Sequence, residues 1–269
     1  MKIFVVGLGM MGSSYAKKLT TLGYEVYGYD TDDSTTTIAL EKGFIKSADI
    51  NHLKNSDYII LCLYPKDNVL FLKHYKSYIN KTAFVTDISG VKTNMIDQIK
   101  KLIDNPYMSH HPMAGSEIKG IKGVNPNIFK GANFLIIDDE NTKEELDQLL
   151  FLKEALEFGK ATITTKQMHD QMISFTSQLP HALAIALVNS DTYPNTSAFS
   201  GDSFRDLTRI ASINASLWSE LLLDNKNHLI KDLKHFKEEL NKVIHAIEEN
   251  DASALNDLMK QAKEKRDSY

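Results

Sequence analysis

Short apolar runs alternate with amphipathic segments through the first 165 residues, and the remainder of the chain carries a helical pattern almost throughout. Lys2-Ile3-Phe4-Val5-Val6 is an apolar, β-branched run ending at glycine, the signature of a buried strand. The same pattern predicts strands at Glu25–Tyr29, 44–47, Ser56–Leu63, Ala83–Asp87, Tyr107–Ser109, Phe134–Ile137 and Ala161–Thr164. Helical periodicity fills the intervals to about Leu22 and over 34–42, 67–79, 92–103 and 142–158. Strands that alternate with helices in this way imply a parallel sheet covered on both faces. Beyond a boundary near Thr165, one long amphipathic pattern covers 166–190 and is interrupted by Pro180. A loop at Ser200-Gly201-Asp202, a helical start at Phe204, and helices over 215–249 and 251–265 complete the chain. These helices carry more apolar face than one short region can cover, which predicts a homodimer formed through them.

The turn after the first strand is Gly7-Leu8-Gly9-Met10-Met11-Gly12. It stands between a strand and a helix, the setting in which G-x-G-x-x-G binds a dinucleotide. The first glycine permits the tight turn, the second lets the backbone approach a pyrophosphate, and the third lets helix and strand pack closely. Asp30 ends the second strand, about twenty residues on, where a carboxylate binds a ribose 2′-hydroxyl and repels a 2′-phosphate. No arginine follows it, so NAD is favoured over NADP. The fold class expected is α/β: an N-terminal Rossmann-type doubly wound sheet over 1–165, followed by an all-helical C-terminal dimerisation domain over 166–269. Ligands in such sheets sit at the carboxyl ends of the strands. Leu63-Tyr64-Pro65 and the segment from Asp87 to Lys92, which includes Ser89, lie at such ends and are candidates to line the nicotinamide half of the cofactor.

Composition excludes several other classes. A formal charge of −4 makes no electrostatic case for nucleic acid. Cys62 is the single cysteine, which excludes an intrachain disulfide and argues against a cysteine-based metal site; no metal is expected. No apolar run reaches transmembrane length, and the chain enters its first strand with no signal peptide, so the cytoplasm is the expected compartment and no membrane partner is expected.

Hydride loss from a carbinol needs an acceptor for the hydroxyl proton. His111 suits that task in Ser109-His110-His111-Pro112-Met113-Ala114-Gly115-Ser116-Glu117, since a neutral imidazole accepts protons near pH 7 and the following proline biases its backbone to extended geometry. Such a base contributes about 10²- to 10⁴-fold, roughly 3–5 kcal/mol of barrier. The neighbouring His110 reads as structural. His181, after Pro180, belongs to a polar patch in an apolar helix and is expected to face a cleft. Arg205, Asp206 and Arg209 lie within one helical turn of each other, and an arginine fork binds a carboxylate bidentately.

Together, the glycine loop, His110–Glu117, Leu179-Pro180-His181 and Phe204-Arg205-Asp206-Leu207-Thr208-Arg209-Ile210-Ala211 resemble the prephenate dehydrogenase family over nearly the whole chain. The resemblance implies oxidation and decarboxylation of prephenate to 4-hydroxyphenylpyruvate with reduction of NAD, in tyrosine synthesis. It implies that His111 accepts the hydrogen bond of the ring hydroxyl and that Arg209 binds substrate. Asp206 and Glu117 would network with Arg209 near the pocket mouth, His181 would face the substrate, and Trp218 would form the pocket wall. Ser116, Gln178 and Arg205 complete the candidate substrate-binding set.

Two departures from the family pattern stand out. The family's serine before Val-Lys, which supports the catalytic histidine, is replaced by Gly90, so Ser89 becomes the candidate for that role. Gln178 stands where many members have histidine; it can hydrogen-bond substrate but cannot carry a proton. The length leaves no room for the mutase or regulatory domains fused to some relatives, so tyrosine feedback is expected at the active site or not at all. Arogenate, the amino analogue of prephenate, is the alternative substrate. β-Hydroxyacid dehydrogenases share the glycine loop but typically use a lysine on a helix, and a non-catalytic NAD sensor would need neither His111 nor the arginines.

Overall fold

The computed structural model describes residues 1–116, 118 and 120–269. In chain order, β1 (Lys2–Val6), α1 (Met10–Thr21), β2 (Glu25–Tyr29), α2 (Asp33–Glu41), β3 (Tyr58–Leu61), α3 (Pro65–Tyr75), β4 (Phe84–Asp87) and α4 (Thr93–Lys100) form the first block. Then come β5 (Ser109–Pro112), β6 (Phe134–Ile137), α5 (Lys143–Ala155) and β7 (Ala161–Thr164). The helical half is α6 (Lys166–Ile173), α7 (Leu179–Asn189), α8 (Thr196–Phe199), α9 (Asp202–Thr208), α10 (Ala215–Asp224), α11 (Lys226–Glu248) and α12 (Ala252–Asp267). Among the described residues no helix is long and apolar enough to cross a membrane.

Four parallel strands lie in the order β2-β1-β3-β4. Alternate residues of β1 serve opposite sides, as the two-residue period of a strand requires. Ile3 and Val5 join Tyr15, Leu19 and Phe134 in one core, while Phe4 and Val6 join Leu72, Ile96 and Ile99 in the other. A sheet buried on both faces explains why its strands read as unbroken apolar runs.

The predicted strand at 44–47 is not one. That segment runs beside β2 with only Lys46 N–H donating to Val26 O and Gly28 N–H donating to Ser47 O, too few bonds for a ladder. The segment at 107–109 is also displaced. Tyr107 makes a single parallel bridge to Val85, and the strand proper begins at Ser109 and contains both histidines. β5, β6 and β7 form a separate three-stranded sheet in that order, and it is not wholly parallel. β6 runs antiparallel to β5, with His111 opposite Leu135, and β7 is parallel to β6.

The helical pattern over 166–190 divides at a π-turn, Ser174–Gln178, just ahead of Pro180. Proline cannot donate to the preceding turn, and a widened turn absorbs that loss. The single helix expected over 215–249 divides at Asn225, whose side-chain amide donates to Asp170 O at 2.7 Å and Gln178 Oε1 at 2.8 Å. Asn225 is thereby drawn inward as a tie between helices rather than left on a helix surface.

The two halves meet at the carboxyl edge of the parallel strands. Asp170 of α6 accepts from the backbone N–H groups of Lys92 and Thr93, capping α4. Asn214 donates to the Tyr64 hydroxyl at 2.6 Å, and Lys66 N–H donates to Glu220 at 2.9 Å.

Candidate active site

The glycine loop has the form a dinucleotide needs. Gly7 sits at φ +88°, and a Cβ there would come within 2.7 Å of the Leu63 side chain. A Cβ on Gly12 would lie 1.8 Å from Gly7 O, so helix α1 can approach the loop only as glycine. At Gly9 a Cβ would meet nothing within 4 Å, which leaves the outer side of the loop open. No side chain caps the first turn of α1, so its N-terminus is open to an anion. Leu8 is fully buried, its N–H bonded to Asp30 and its carbonyl to the Ser13 hydroxyl, while Met10 and Met11 are half-buried. The Asp30 carboxylate accepts from Leu8 N–H at 2.7 Å and Asp32 N–H at 3.0 Å, which holds it at the rim of the loop. Leu63 and Tyr64 are half-buried and Pro65 opens α3. These residues fit a dinucleotide with a free ribose 2′-hydroxyl.

His110 and His111 are consecutive in β5 and therefore point to opposite faces. His110 is fully buried, between the Thr86 hydroxyl at 2.7 Å and the Tyr15 hydroxyl at 2.9 Å, and burial pushes its pKa down to about 3. His111 keeps a partly exposed edge, and its Nδ1 lies 2.9 Å from His169 Nε2. His169 Nδ1 lies 2.8 Å from Asp170 Oδ1. Burial first, then the proximity of the His169 ring and the Lys92 ammonium, hold His111 well below the ordinary histidine range. His169 is also lowered, chiefly by burial. Burial opposes ionisation of Asp170, yet the bonds it accepts from His169 and Thr93 hold its carboxyl below the usual range. His111 is therefore a neutral imidazole at the edge of the sheet, backed by a second imidazole and a carboxylate.

The serine position resolves differently from expectation. The Ser89 hydroxyl accepts from Asn68 Nδ2 at 3.0 Å. Gly90 is the residue that abuts His111, and a Cβ there would lie 4.0 Å from His111 Cε1. Lys92 needs correction as a cofactor contact. It is wholly buried, its ammonium donating to Asp87 Oδ1 at 2.8 Å and His110 O at 2.7 Å, so no atom of it can touch a ligand. Burial works against charge on Asp87, but the Lys92 ammonium holds that carboxyl below its ordinary value.

On the opposing side, His181 stacks on Trp218 with ring centroids 3.6 Å apart. Its Nδ1 donates to Ser177 O at 2.8 Å, which leaves Nε2 as an acceptor. Burial lowers its pKa, the bond to Ser177 O works against that, and the positive charge of Arg209 adds to the lowering. Arg209 and Asp206 are exposed at the end of α9. Arg205 turns away, donating to Asp202 at 2.7 Å and Ser200 O at 3.0 Å. Gln178 is buried; its amide donates to Leu221 O and accepts from Asn225, so both ends are committed to helix packing. Ser116 is exposed, its hydroxyl accepting from Ile118 N–H. Glu117 lies outside the described residues.

His169 and Asp170 carry no sequence motif that ties them to His111, 58 positions away. The available signal was local: an imidazole beside a carboxylate in the first turns of a helix that opens on the domain boundary.

Comparison with known proteins gives the geometry its context. Residues 15–165 match the nucleotide-binding domain of prephenate dehydrogenase, and residues 165–261 match its dimerization domain. The chain belongs to the prephenate dehydrogenase family. It is 28% identical to prephenate dehydrogenase of Bacillus subtilis, over 98% of this chain and 75% of that protein. Among solved structures, prephenate dehydrogenase from A. aeolicus in complex with hydroxyphenyl propionate and NAD+ is similar at a TM-score of 0.91, with 26% identity over 100% of this chain and 98% of that one. Synechocystis arogenate dehydrogenase is similar at a TM-score of 0.85, with 28% identity and full coverage of both chains. Family membership agrees with a dinucleotide loop and an imidazole placed on one seam.

Proposed function

We propose that the chain catalyses the NAD-dependent oxidative decarboxylation of prephenate to 4-hydroxyphenylpyruvate, the oxidative step of tyrosine synthesis, as a cytoplasmic homodimer. The observation that carries this reading is His111: neutral, fixed at Nδ1 by His169, and left with a partly exposed edge. When bound at the glycine loop, NAD supplies the oxidant that takes up the hydride equivalent from the ring carbon bearing the hydroxyl.

His111 accepts the proton of that hydroxyl as the carbon is oxidised. The bond from the ring to its carboxylate then breaks and CO2 leaves. The electron pair of that bond passes through the ring to the oxygen, which becomes a phenolate and takes the proton back from His111. The histidine ends the cycle neutral, and aromatisation makes the sequence irreversible. Arg209 would bind a substrate carboxylate, with Asp206 beside it and His181, braced by Trp218, lining the same side. The homodimer reading rests on the dimerization-domain match and on apolar residues left exposed along α11.

Arogenate is a second reading, favoured by the similarity to the Synechocystis arogenate dehydrogenase. The test is NAD reduction followed by absorbance with prephenate and with arogenate, each repeated with NADP. Fast turnover of prephenate with NAD is expected; turnover of arogenate alone would change the substrate and keep the chemistry. His111→Asn should lower kcat by about 10²- to 10⁴-fold with NAD affinity unchanged. A kcat within a few-fold of wild type would remove His111 from the reaction.

A further inference from the structure

We propose that His169 and Asp170 act as positioning residues that set the tautomer of His111, and with it the nitrogen that faces the substrate; the inference rests on the reading of His111 as the base. The argument starts from the carboxylate. Asp170 Oδ1 receives Lys92 N–H at 2.9 Å and Oδ2 receives Thr93 N–H at 2.8 Å. An ionised carboxylate can only accept. The bond to His169 Nδ1 at 2.8 Å therefore requires the proton to sit on that nitrogen.

A neutral His169 with its proton on Nδ1 has only a lone pair at Nε2. The 2.9 Å contact from that Nε2 to His111 Nδ1 is then a hydrogen bond only if His111 carries its own proton on Nδ1. One lone pair is left on His111, at Nε2, the nitrogen a substrate hydroxyl would meet. Each acceptor thus dictates the tautomer of the ring beyond it, and the chain begins at two backbone N–H groups that cannot be reversed.

The surroundings hold this chain rigid. His169 is almost fully buried, and Asp170 is tied to the start of α4 through its carboxylate and to Asn225 through its carbonyl. The device also crosses the seam between the halves: His111 stands on β5 and its support on α6. Gly90, the residue that abuts His111 from the sheet side, has no side chain to contribute a bond, so orientation of the ring comes from α6.

The test reads the imidazole nitrogens directly. Histidine-15N-labelled protein is studied by NMR, with His111 and His169 signals identified by their loss in H111N and H169A. Both rings are expected in the Nδ1–H form, with an unprotonated Nε2. Kinetically, H169A should lower kcat by about 10²-fold or more with little change in KM, because the wrong tautomer presents an N–H to the substrate hydroxyl. H169Q, whose side-chain carbonyl can accept from His111 Nδ1–H, should recover most of that loss.

A wild-type His111 protonated on Nε2 overturns the proposal, as does an H169A enzyme that keeps both the wild-type His111 spectrum and kcat. The wild-type spectrum needs no variant to fold and no turnover. A protein inactive on prephenate and arogenate, with both rings as expected, would refute the functional reading alone.

Discussion

In the nucleotide-binding half, Ile3, Val5, Tyr15, Leu19, Phe134 and Leu149 fill one side of the sheet, and Phe4, Val6, Leu72, Ile96 and Ile99 fill the other. In the helical half, the buried apolar residues are few, among them Ile173, Leu179, Ala184, Leu221 and Leu229. Leu240, Val243, Ile244 and Ile247 instead lie exposed as a stripe along α11, joined by Phe175, Leu187 and Leu223 on its neighbours. The first half closes its own core; the second presents one. A parallel sheet covered by helices on both faces consumes its apolar surface within the chain, whereas a layer of helices with one face packed leaves the other for a second copy. The same contrast holds for charge. The nucleotide-binding half buries a complete ion pair, Lys92–Asp87, while ion pairs of the helical half such as Arg205–Asp202 and Lys242–Glu239 are solvated.

The largest expected effect breaks this contrast at the buried pair. Asp87→Asn leaves the Lys92 ammonium without a counter-charge in a dry interior and should cost about 3–5 kcal/mol of stability, read by urea denaturation. A cost below about 1 kcal/mol would show the pair to be solvated after all. The next variant acts on the helical half. Ile244→Asp on the α11 stripe should weaken the proposed homodimer by about tenfold or more, read as a lower mass in light scattering with unchanged helix content. An unchanged mass would move the interface off this stripe.

The pH dependence of stability is spread over several pH units. His110 has a folded pKa of about 3 against an ordinary value of 6.5. The unfolded chain therefore binds a proton that the folded chain refuses. Stability should fall as pH drops below 6.5, by up to about 1.4 kcal/mol per unit for this residue, and the loss should level off near pH 3. Stability that stays flat across that window would mean that His110 accepts a proton without unfolding. The smallest effect separates two arginines. Arg205→Ala removes an exposed pair and should change stability by less than about 0.5 kcal/mol and leave KM as it was. Arg209→Ala should raise the KM for prephenate about tenfold or more with kcat little changed. Equal effects on KM would place the carboxylate contact at the helix start rather than beside His181.

Much of this was legible along the chain because it depends on neighbours in sequence. The strand-glycine-helix order of 2–22 needs only local sterics, and so do the apolar runs of β1, β3 and β4. His111 stood out as the candidate base from its place before Pro112. What failed to be legible depends on partners distant in sequence. The extended segment at 44–47 has the composition of a strand but finds too few bonds beside β2. Lys92 looked like a charged group at a ligand edge until Asp87 and the His110 carbonyl closed over it. Asn225 lies inside a continuous helical pattern, and only its bonds to Asp170 and Gln178 explain why the helix breaks there.

The sequence by itself determined a dinucleotide loop, the two-part architecture and the family, because steric rules and period act over a few residues. Only the tertiary structure decided how His111 is held. The contact spans β5 and α6, on opposite sides of the boundary at Thr165, and requires Nδ1 of one ring to lie 2.9 Å from Nε2 of another. Hydrogen bonds are directional over a few tenths of an ångström, so no spacing along the chain encodes such a contact; it exists only once both halves have packed.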